Sequence, residues 1–268
     1  MKFDFDHLVH LTKRPEEAVQ AWKDLGFHAA NGGHHENWGT YNGIAHFGLS
    51  YIEFLGLENA SIARQVTDNT LIQQTAGTSP DYEGFLRLAF RTTNMNEAVA
   101  HFKNQGLRVI GPVPGERRRT DGSLLKWEML FIEEENEDPY NFPFIIDWKM
   151  SDSDREQQLK DQQLMIDKMA APTLSEIGIY TAAPAKTARA WQKLFNLELS
   201  SGMDSTDDTA VKGSLGSTAF VFHRDTRYGF NSATFKGKVR PSYVKIKQSL
   251  FLASQEIYGG LYLFNGGS

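Results

Sequence analysis

Three stretches of the chain carry the same alternation of apolar and polar positions. In FDHLVHLTKRPEEAVQAWKDLGF, Phe5, His7, Val9 and Leu11 fall on every second residue, the period of a strand. Pro15 then suits a first helical turn, Ala18, Trp22 and Leu25 form an apolar stripe at helical spacing, and Gly26 stops it. The stretch FLRLAFRTTNMNEAVAHFKNQGL repeats this: Phe5 falls on Phe85, Ala18 on Ala98, Trp22 on Phe102 and Gly26 on Gly106, a constant step of 80 residues. A weaker third copy, LSEIGIYTAAPAKTARAWQKLFNL, sets Pro15 on Pro184 and Trp22 on Trp191, a step of 169.

Further strand-like runs follow each helix: 33–40, 43–48 and 51–57, then 107–111, 124–132 and 142–148, then 197–201, 209–215 and 217–223. Each unit reads β-α-β-β-β, so the predicted class is α+β with repeated modules. Such a unit leaves one sheet face and one edge unsatisfied, and units should pair. Residues 59–77 read as helical, capped by Asn59 or Ser61 and stopped at Gly77. Residues 151–171 read as a polar helix ending before Pro172. The predicted organisation is two paired modules over 1–150, a linker helix over 151–171, and a third module with extra strands over 172–268. The third module pairs either with a second copy of the chain, giving a homodimer, or with the terminal runs SYVKIKQSLFL and EIYGGLYLFN.

Composition narrows the chemistry. The 268 residues contain no cysteine, which excludes disulfides, thiolate nucleophiles and thiolate metal sites. A net charge of −5 is ordinary and gives no sign of nucleic-acid binding, and no apolar run reaches membrane-spanning length. Asp4 and Asp6 stand where a signal peptide would be apolar, so a cytoplasmic protein without membrane or nucleic-acid partners is expected. Nucleophile-elbow, phosphate-loop and dinucleotide motifs are absent. The acidic run 133–139 reads as a solvated turn.

Two side chains resist a burial explanation. His7 shares the apolar face of its strand, and Glu53 sits inside YIEFLGL with apolar neighbours on both faces. A carboxylate there needs a hydrogen-bonding partner, a counter-charge or a metal. Imidazole and carboxylate meeting across a curled sheet form either a structural hydrogen-bonded pair or half of a divalent-metal site. The stretch NGGHHENWGTYNGIAHF adds His34, His35 and His46. His34 and His35 face opposite ways on a strand, so spacing allows only one of them to join His7 and Glu53. Asn37, Thr40 and Asn42 offer supporting hydrogen bonds.

The combination of DH on the first strand, GG-H, GT-N and a YIE strand within βαβββ units resembles the glyoxalase-like branch of the vicinal-oxygen-chelate superfamily. GERRRTDGSLLKWEMLFI and FPFIIDW in the second unit resemble it too. The resemblance implies a curled, cup-shaped sheet of two modules holding a divalent metal, with ligands on first and last strands. It implies His7, His35 and Glu53 as metal ligands, zinc, nickel, manganese and iron not being distinguished. The second unit departs from the pattern. The step of 80 places Arg87 at His7's position, and an arginine has no lone pair to donate. FPFIIDW places Ile145, Ile146 or Asp147 near the other ligand position.

Arg87, as an inward cation, suits an anionic substrate group. Arg117, Arg118 and Arg119 read mainly as an exposed hairpin near the Asp121-Gly122 turn, and Trp38, Trp127 and Trp148 as candidate cup lining. The step of 169 puts Glu176 at His7's position in the third unit, where a structural ion pair is expected. Two functions follow as expectations. The first is a metal-dependent lyase, isomerase or dioxygenase for a small oxygenated, anionic substrate, with Glu53 as ligand and catalytic group and Arg87, Trp38 and Trp127 on the substrate. The alternative is a metal-free small-molecule binding protein.

Overall fold

A computed structural model describes residues 1–118, 122–135, 142–165, 172–200, 210–224, 240–248 and 255–266. Arg119, Asp121 and the 136–139 part of the acidic run lie outside them. The first module contains β1 (Asp4–Leu11), α1 (Pro15–Asp24), β2 (Ala30–His35), β3 (Thr40–Phe47) and β4 (Ser50–Leu57), with a 3-10 turn at Glu36–Trp38. Two short helices follow, α2 (Ala60–Ala63) and α3 (Thr70–Gly77). The second module contains β5 (Gly84–Arg91), α4 (Met95–Asn104), β6 (Arg108–Arg118), β7 (Leu124–Glu133) and β8 (Phe144–Asp147), and then α5 (Asp152–Asp161). The third contains β9 (Thr173–Thr181), α6 (Pro184–Phe195), β10 (Glu198–Leu199), β11 (Ala210–Leu215) and β12 (Thr218–Arg224). Last come β13 (Arg240–Gln248), β14 (Gln255–Ile257) and β15 (Gly260–Gly266).

The repeat is metrically regular. Both ends of β5 and of α4 lie 80 residues after the corresponding ends of β1 and α1. The three helices start from the same backbone conformation with different local chemistry. Pro15 and Pro184 open α1 and α6, where a missing N–H costs nothing, while the Asn94 side chain caps α4 by accepting from the Glu97 N–H.

The first eight strands close into a barrel in the order β1-β4-β3-β2-β6-β7-β8-β5. Parallel pairs β1·β4 and β5·β8 meet through the antiparallel pair β1·β5. There His7 lies opposite Ala89 and Val9 opposite Arg87, so a pseudo-two-fold axis exchanges His7 with Arg87. Inside the barrel Val9, Leu55, Ala89, Phe131 and Phe144 belong to one apolar cluster. The outer face forms another with α1, α4 and α6.

Strict alternation fails on β1. The register shifts between Phe5 and His7, a bulge that lets Asp6 and His7 both face the interior. Phe5 is thereby turned to the outer core, edge-on to Phe220 at 6.0 Å. This corrects the single Phe5/His7/Val9/Leu11 face expected from sequence.

The remaining strands form an open sheet ordered β10-β11-β12-β9-β13-β15-β14. The terminal runs pair within the chain: β13 lies antiparallel to β9, and β15 parallel to β13. The outer faces of barrel and sheet share one core. Trp22 meets Tyr262 at 4.9 Å, Phe27 stacks on Phe264 at 5.5 Å, and Phe90 meets Trp191 at 5.6 Å. No helix among the described residues is long and apolar enough to cross a membrane.

Candidate functional site

The barrel interior holds a pocket of about 440 Å³, open solvent at its mouth included. Its polar wall is built from His7, His35, Asn42, Glu53 and Arg117, and its aromatic wall from Trp38, Tyr51, Trp127, Phe144 and Trp148. Leu71 and Ile72 of α3 close one side. The Asn69 side chain caps that helix by accepting from the Leu71 and Ile72 N–H groups.

His7 and Glu53 converge. His7 Nε2 lies 3.6 Å from Glu53 Oε2, and each is held from behind. Asp6 Oδ1 is 2.7 Å from His7 Nδ1, and Asn42 Nδ2 donates to Glu53 Oε1 at 2.5 Å. Burial alone would raise the Asp6 carboxyl. The Arg155 guanidinium at 3.1 Å and the hydrogen bond from His7 outweigh it and hold the group well below the usual carboxylate range. Trp148 Nε1 donates to the same carboxylate at 3.0 Å. An ionised Asp6 can only accept, so His7 Nδ1 donates to it and Nε2 is the ring nitrogen turned to Glu53. His7 Nε2 and Glu53 Oε2 then face one point on the pocket wall, where a ligand can meet both.

The glycine pair of the GGHH stretch has a steric role. A Cβ on Gly32 would stand 2.0 Å from Asn42 Oδ1 and 2.8 Å from Arg117 Nη1, which donates to that Oδ1 at 3.1 Å. Gly33 has φ +151°, open to a residue without a Cβ. The chain beyond turns His35 inward, where its Nδ1 bonds Thr40 Oγ1 at 2.9 Å. His34 faces out against Glu58. Burial, then the charge of Arg117, push the His35 imidazole down to about 3.

His7, His35, Glu53, Trp38 and Trp127 thus line one pocket. Arg87 does not. Its guanidinium is buried elsewhere in the barrel, donating to Phe142 O at 3.0 Å and Thr70 Oγ1 at 2.9 Å and lying 5.5 Å from the Phe131 ring centre. The arginine on the pocket wall is Arg117, from the loop read as an exposed hairpin, while Arg118 is exposed as that reading has it. Sequence reasoning passed over Asp6, which alternation assigned to the wrong face, and Tyr51, which reads as ordinary core. Glu176 is bonded by Lys212 at 2.8 Å, Lys245 at 2.5 Å and Tyr243 at 2.9 Å, an ion-pair cluster on the second sheet.

Whether a divalent metal fits follows from the second module. Glu53 pairs across to Val9, and Ala89, the counterpart of Val9, pairs with Phe144. The counterparts of His7 and Glu53 are therefore Arg87 and Phe144, and neither can ligate. The last-strand position falls on Phe144 rather than on Ile145, Ile146 or Asp147; Asp147 bonds Lys149 instead. Among the described residues no group of three His, Cys, Asp or Glu side chains is placed to share a metal ion. His35 lines the pocket without joining the His7–Glu53 pair in such a group. The donor set is half of what a resident metal needs.

A family model described as Glyoxalase-like domain matches residues 5–195. The chain belongs to the glyoxalase-like domain family. Among solved structures, a hypothetical protein from Staphylococcus aureus is 20% identical, covers 98% of this chain and 99% of its own, and superposes with a TM-score of 0.81. A mutant of 4-hydroxymandelate synthase from Streptomyces coelicolor is 9% identical, with 93% of this chain and 72% of that chain covered and a TM-score of 0.55. Streptomyces coelicolor methylmalonyl-CoA epimerase, in complex with 2-nitronate-propionyl-CoA, is 17% identical over 53% of this chain and 94% of its own, with a TM-score of 0.38. No match to a curated protein was found. The fold of this glyoxalase-like protein is the vicinal-oxygen-chelate fold of paired βαβββ modules.

Proposed function

We propose that the glyoxalase-like barrel is an enzyme site for a small oxygenated substrate and that Glu53 accepts a proton from a carbon next to a carbonyl. The observation that carries this is the His7–Glu53 pair, with Nε2 and Oε2 3.6 Å apart and each side chain fixed by a buried partner on the wall of an aromatic pocket. The substrate C–H bond breaks, its proton goes to Glu53 Oε2, and the electron pair moves onto the carbonyl oxygen to give an enolate. Arg117 is the nearby cation for developing negative charge, and the apolar walls strengthen that interaction by excluding water. Asp6 and Asn42 position the pair. Because the second module offers Arg87 and Phe144 in place of donors, no step is routed through a metal.

The test is deuterium uptake by 2-oxo acids, 1,2-dicarbonyls and hydroxyketones in heavy water, followed by proton NMR. Wild-type protein is expected to exchange at least one of them. Glu53→Gln should slow that exchange about 10²–10⁴-fold, the usual contribution of a positioned general base, and prior treatment with a chelator should change nothing. Exchange that a chelator abolishes, or that survives Glu53→Gln, would sink the proposal. The five aromatic rings favour a second reading, capture of a flat ligand without turnover. It predicts equal quenching of tryptophan fluorescence in wild type and Glu53→Gln, with no exchange in either.

A further inference from the structure

Behind the first pocket lies a second, of about 400 Å³ with its mouth included, where α5 packs against the barrel. The two share Tyr51, Arg117 and Trp148 as a common wall, so one ligand can reach both. The polar lining of the second pocket is His46, Arg117, Arg155, Gln158 and Gln162, and none of its lining residues is acidic. Both guanidiniums are buried, Arg155 at 5% and Arg117 at 8% exposure. Arg155 lies over the Trp148 ring at 4.2 Å and bonds Asp6 and Leu49 O, which fixes its fork against the cavity. His46 Nδ1 is buried without a hydrogen-bond partner, a cost that a bound polar group removes.

We infer that this second pocket is a carboxylate subsite, and that the substrate is a short carboxylic acid whose carboxylate sits between Arg117 and Arg155 while its acidic C–H reaches Glu53. The inference names the substrate class of the proton-transfer site and rests on that reading. Three features carry it. The planar fork of a guanidinium matches a carboxylate, and two of them on one small cavity surround it. Arg155 already pairs with Asp6, and a carboxylate between Arg155 and Arg117 adds charge-assisted hydrogen bonds to guanidiniums already held in place. The Gln158 and Gln162 amides and the His46 ring add neutral groups able to complete its hydrogen bonds.

The experiment is a titration of the full chain with sodium malonate, acetate and inorganic phosphate at constant ionic strength. Affinity is read by calorimetry, and the histidine rings by nitrogen-15 NMR. Malonate is expected to bind saturably and to shift the His46 ring signals. His46→Phe, which keeps the ring volume, and Arg155→Gln should each weaken it about tenfold or more, the value of a hydrogen bond to a charged group. Arg155→Lys should restore part of the loss, and Glu53→Gln should not weaken binding. The absence of saturable binding by wild type, or equal affinity in wild type and His46→Phe, would overturn the subsite. Loss of malonate binding in Glu53→Gln would place the anion in the first pocket, and preference for phosphate would overturn the carboxylate assignment. Malonate binding that follows these variants without any carbon-acid exchange upholds the subsite and removes only the proton-transfer reading.

Discussion

At the scale of single residues, charge and space are matched around Glu53. Gly32→Ala is a test that removes no ionisable group. Its methyl would overlap Asn42 Oδ1, so Asn42 must leave Glu53 or Arg117 must leave Asn42. The expected result is a folded protein that has lost most of its ligand response, read by thermal shift with malonate. An unaltered response would show that the Asn42 bridge is dispensable. Arg87 should behave in the opposite way. Arg87→Met removes hydrogen bonds to Phe142 O and Thr70 Oγ1 in the interior, and should destabilise by about 2–4 kcal/mol in denaturant titration while leaving malonate affinity unchanged. Three histidines with depressed values, His10, His35 and His46, set the acid limit. Burial pushes His10 to about 4, burial with Arg117 pushes His35 to about 3, and burial with Arg155 and Arg117 pushes His46 to about 3, against an ordinary 6.5. Between pH 6.5 and about 4 the unfolded chain therefore binds protons that the folded chain refuses. Stability is complete above 6.5 and falls on acidification by about 1.4 kcal/mol per pH unit for each histidine. Asp6, held low in the fold, contributes stability that is lost only below its unfolded value, near 3.8, and is silent in that window. Denaturation at stepped pH should show the slope, and His46→Phe should remove one histidine's share.

At the scale of elements, what could be read from the sequence was what repeats. The steps of 80 and 169 located three strands and three helices because each copy meets the same demand, one apolar strand face covered by one apolar helix stripe. The Gly-Gly-His stretch and the YIE strand also pointed to residues that share one pocket, since a glutamate among apolar residues has few explanations. What was illegible depends on register and on chain-distant contact. The bulge that brings Asp6 beside His7 leaves the apolar pattern of β1 intact, so no periodicity reveals it. The inward arginine was sought at Arg87 by repeat symmetry, yet Thr70 of α3 and Phe142 O engage it. The residue that reaches the pocket is Arg117, from a strand six residues longer than the 107–111 expected from sequence and running to Arg118. Helix α5, polar at nine of its ten positions, gave no sign that Arg155 and Leu159 are buried against the barrel. Helix α3 offers a prediction at this scale. Asn69 is fully buried, its side-chain oxygen accepts two helix N–H groups, and the helix carries Leu71 and Ile72 into the pocket. Asn69→Ala should lower stability by about 1–2 kcal/mol and loosen that side of the pocket, seen as faster amide exchange over Thr70–Gly77.

At the scale of the molecule, the second sheet is the same design run again with parts missing. β12 lies parallel to β9 as β4 does to β1, β13 antiparallel to β9 as β5 does to β1, and β15 parallel to β13 as β8 does to β5. Among the described residues this half forms an open sheet where the first half closes a barrel. Its position equivalent to His7 carries Glu176, fully engaged by Lys212, Lys245 and Tyr243. Among the described residues the second half therefore repeats the architecture without a counterpart of the His7–Glu53 pair, and its clearest contribution is the shared core. Trp22, Phe90 and Phe102 of the barrel half pack on Tyr262, Trp191 and Phe195 of the other. Stability should follow from that sharing. A chain cut after residue 171 would expose the outer apolar faces of β1, β5, α1 and α4 together, an area larger than a soluble monomer normally leaves open. Full-length protein is expected to unfold in one calorimetric transition, with the calorimetric and van't Hoff enthalpies equal. The 1–171 fragment should aggregate or bind apolar dyes, and Trp191→Ala should destabilise the whole chain by about 3–5 kcal/mol, lowering the temperature at which ligand protection of the barrel pocket is lost. Two separated transitions, or a soluble fragment that still binds malonate, would mean that the barrel stands alone and the second sheet is an independent body.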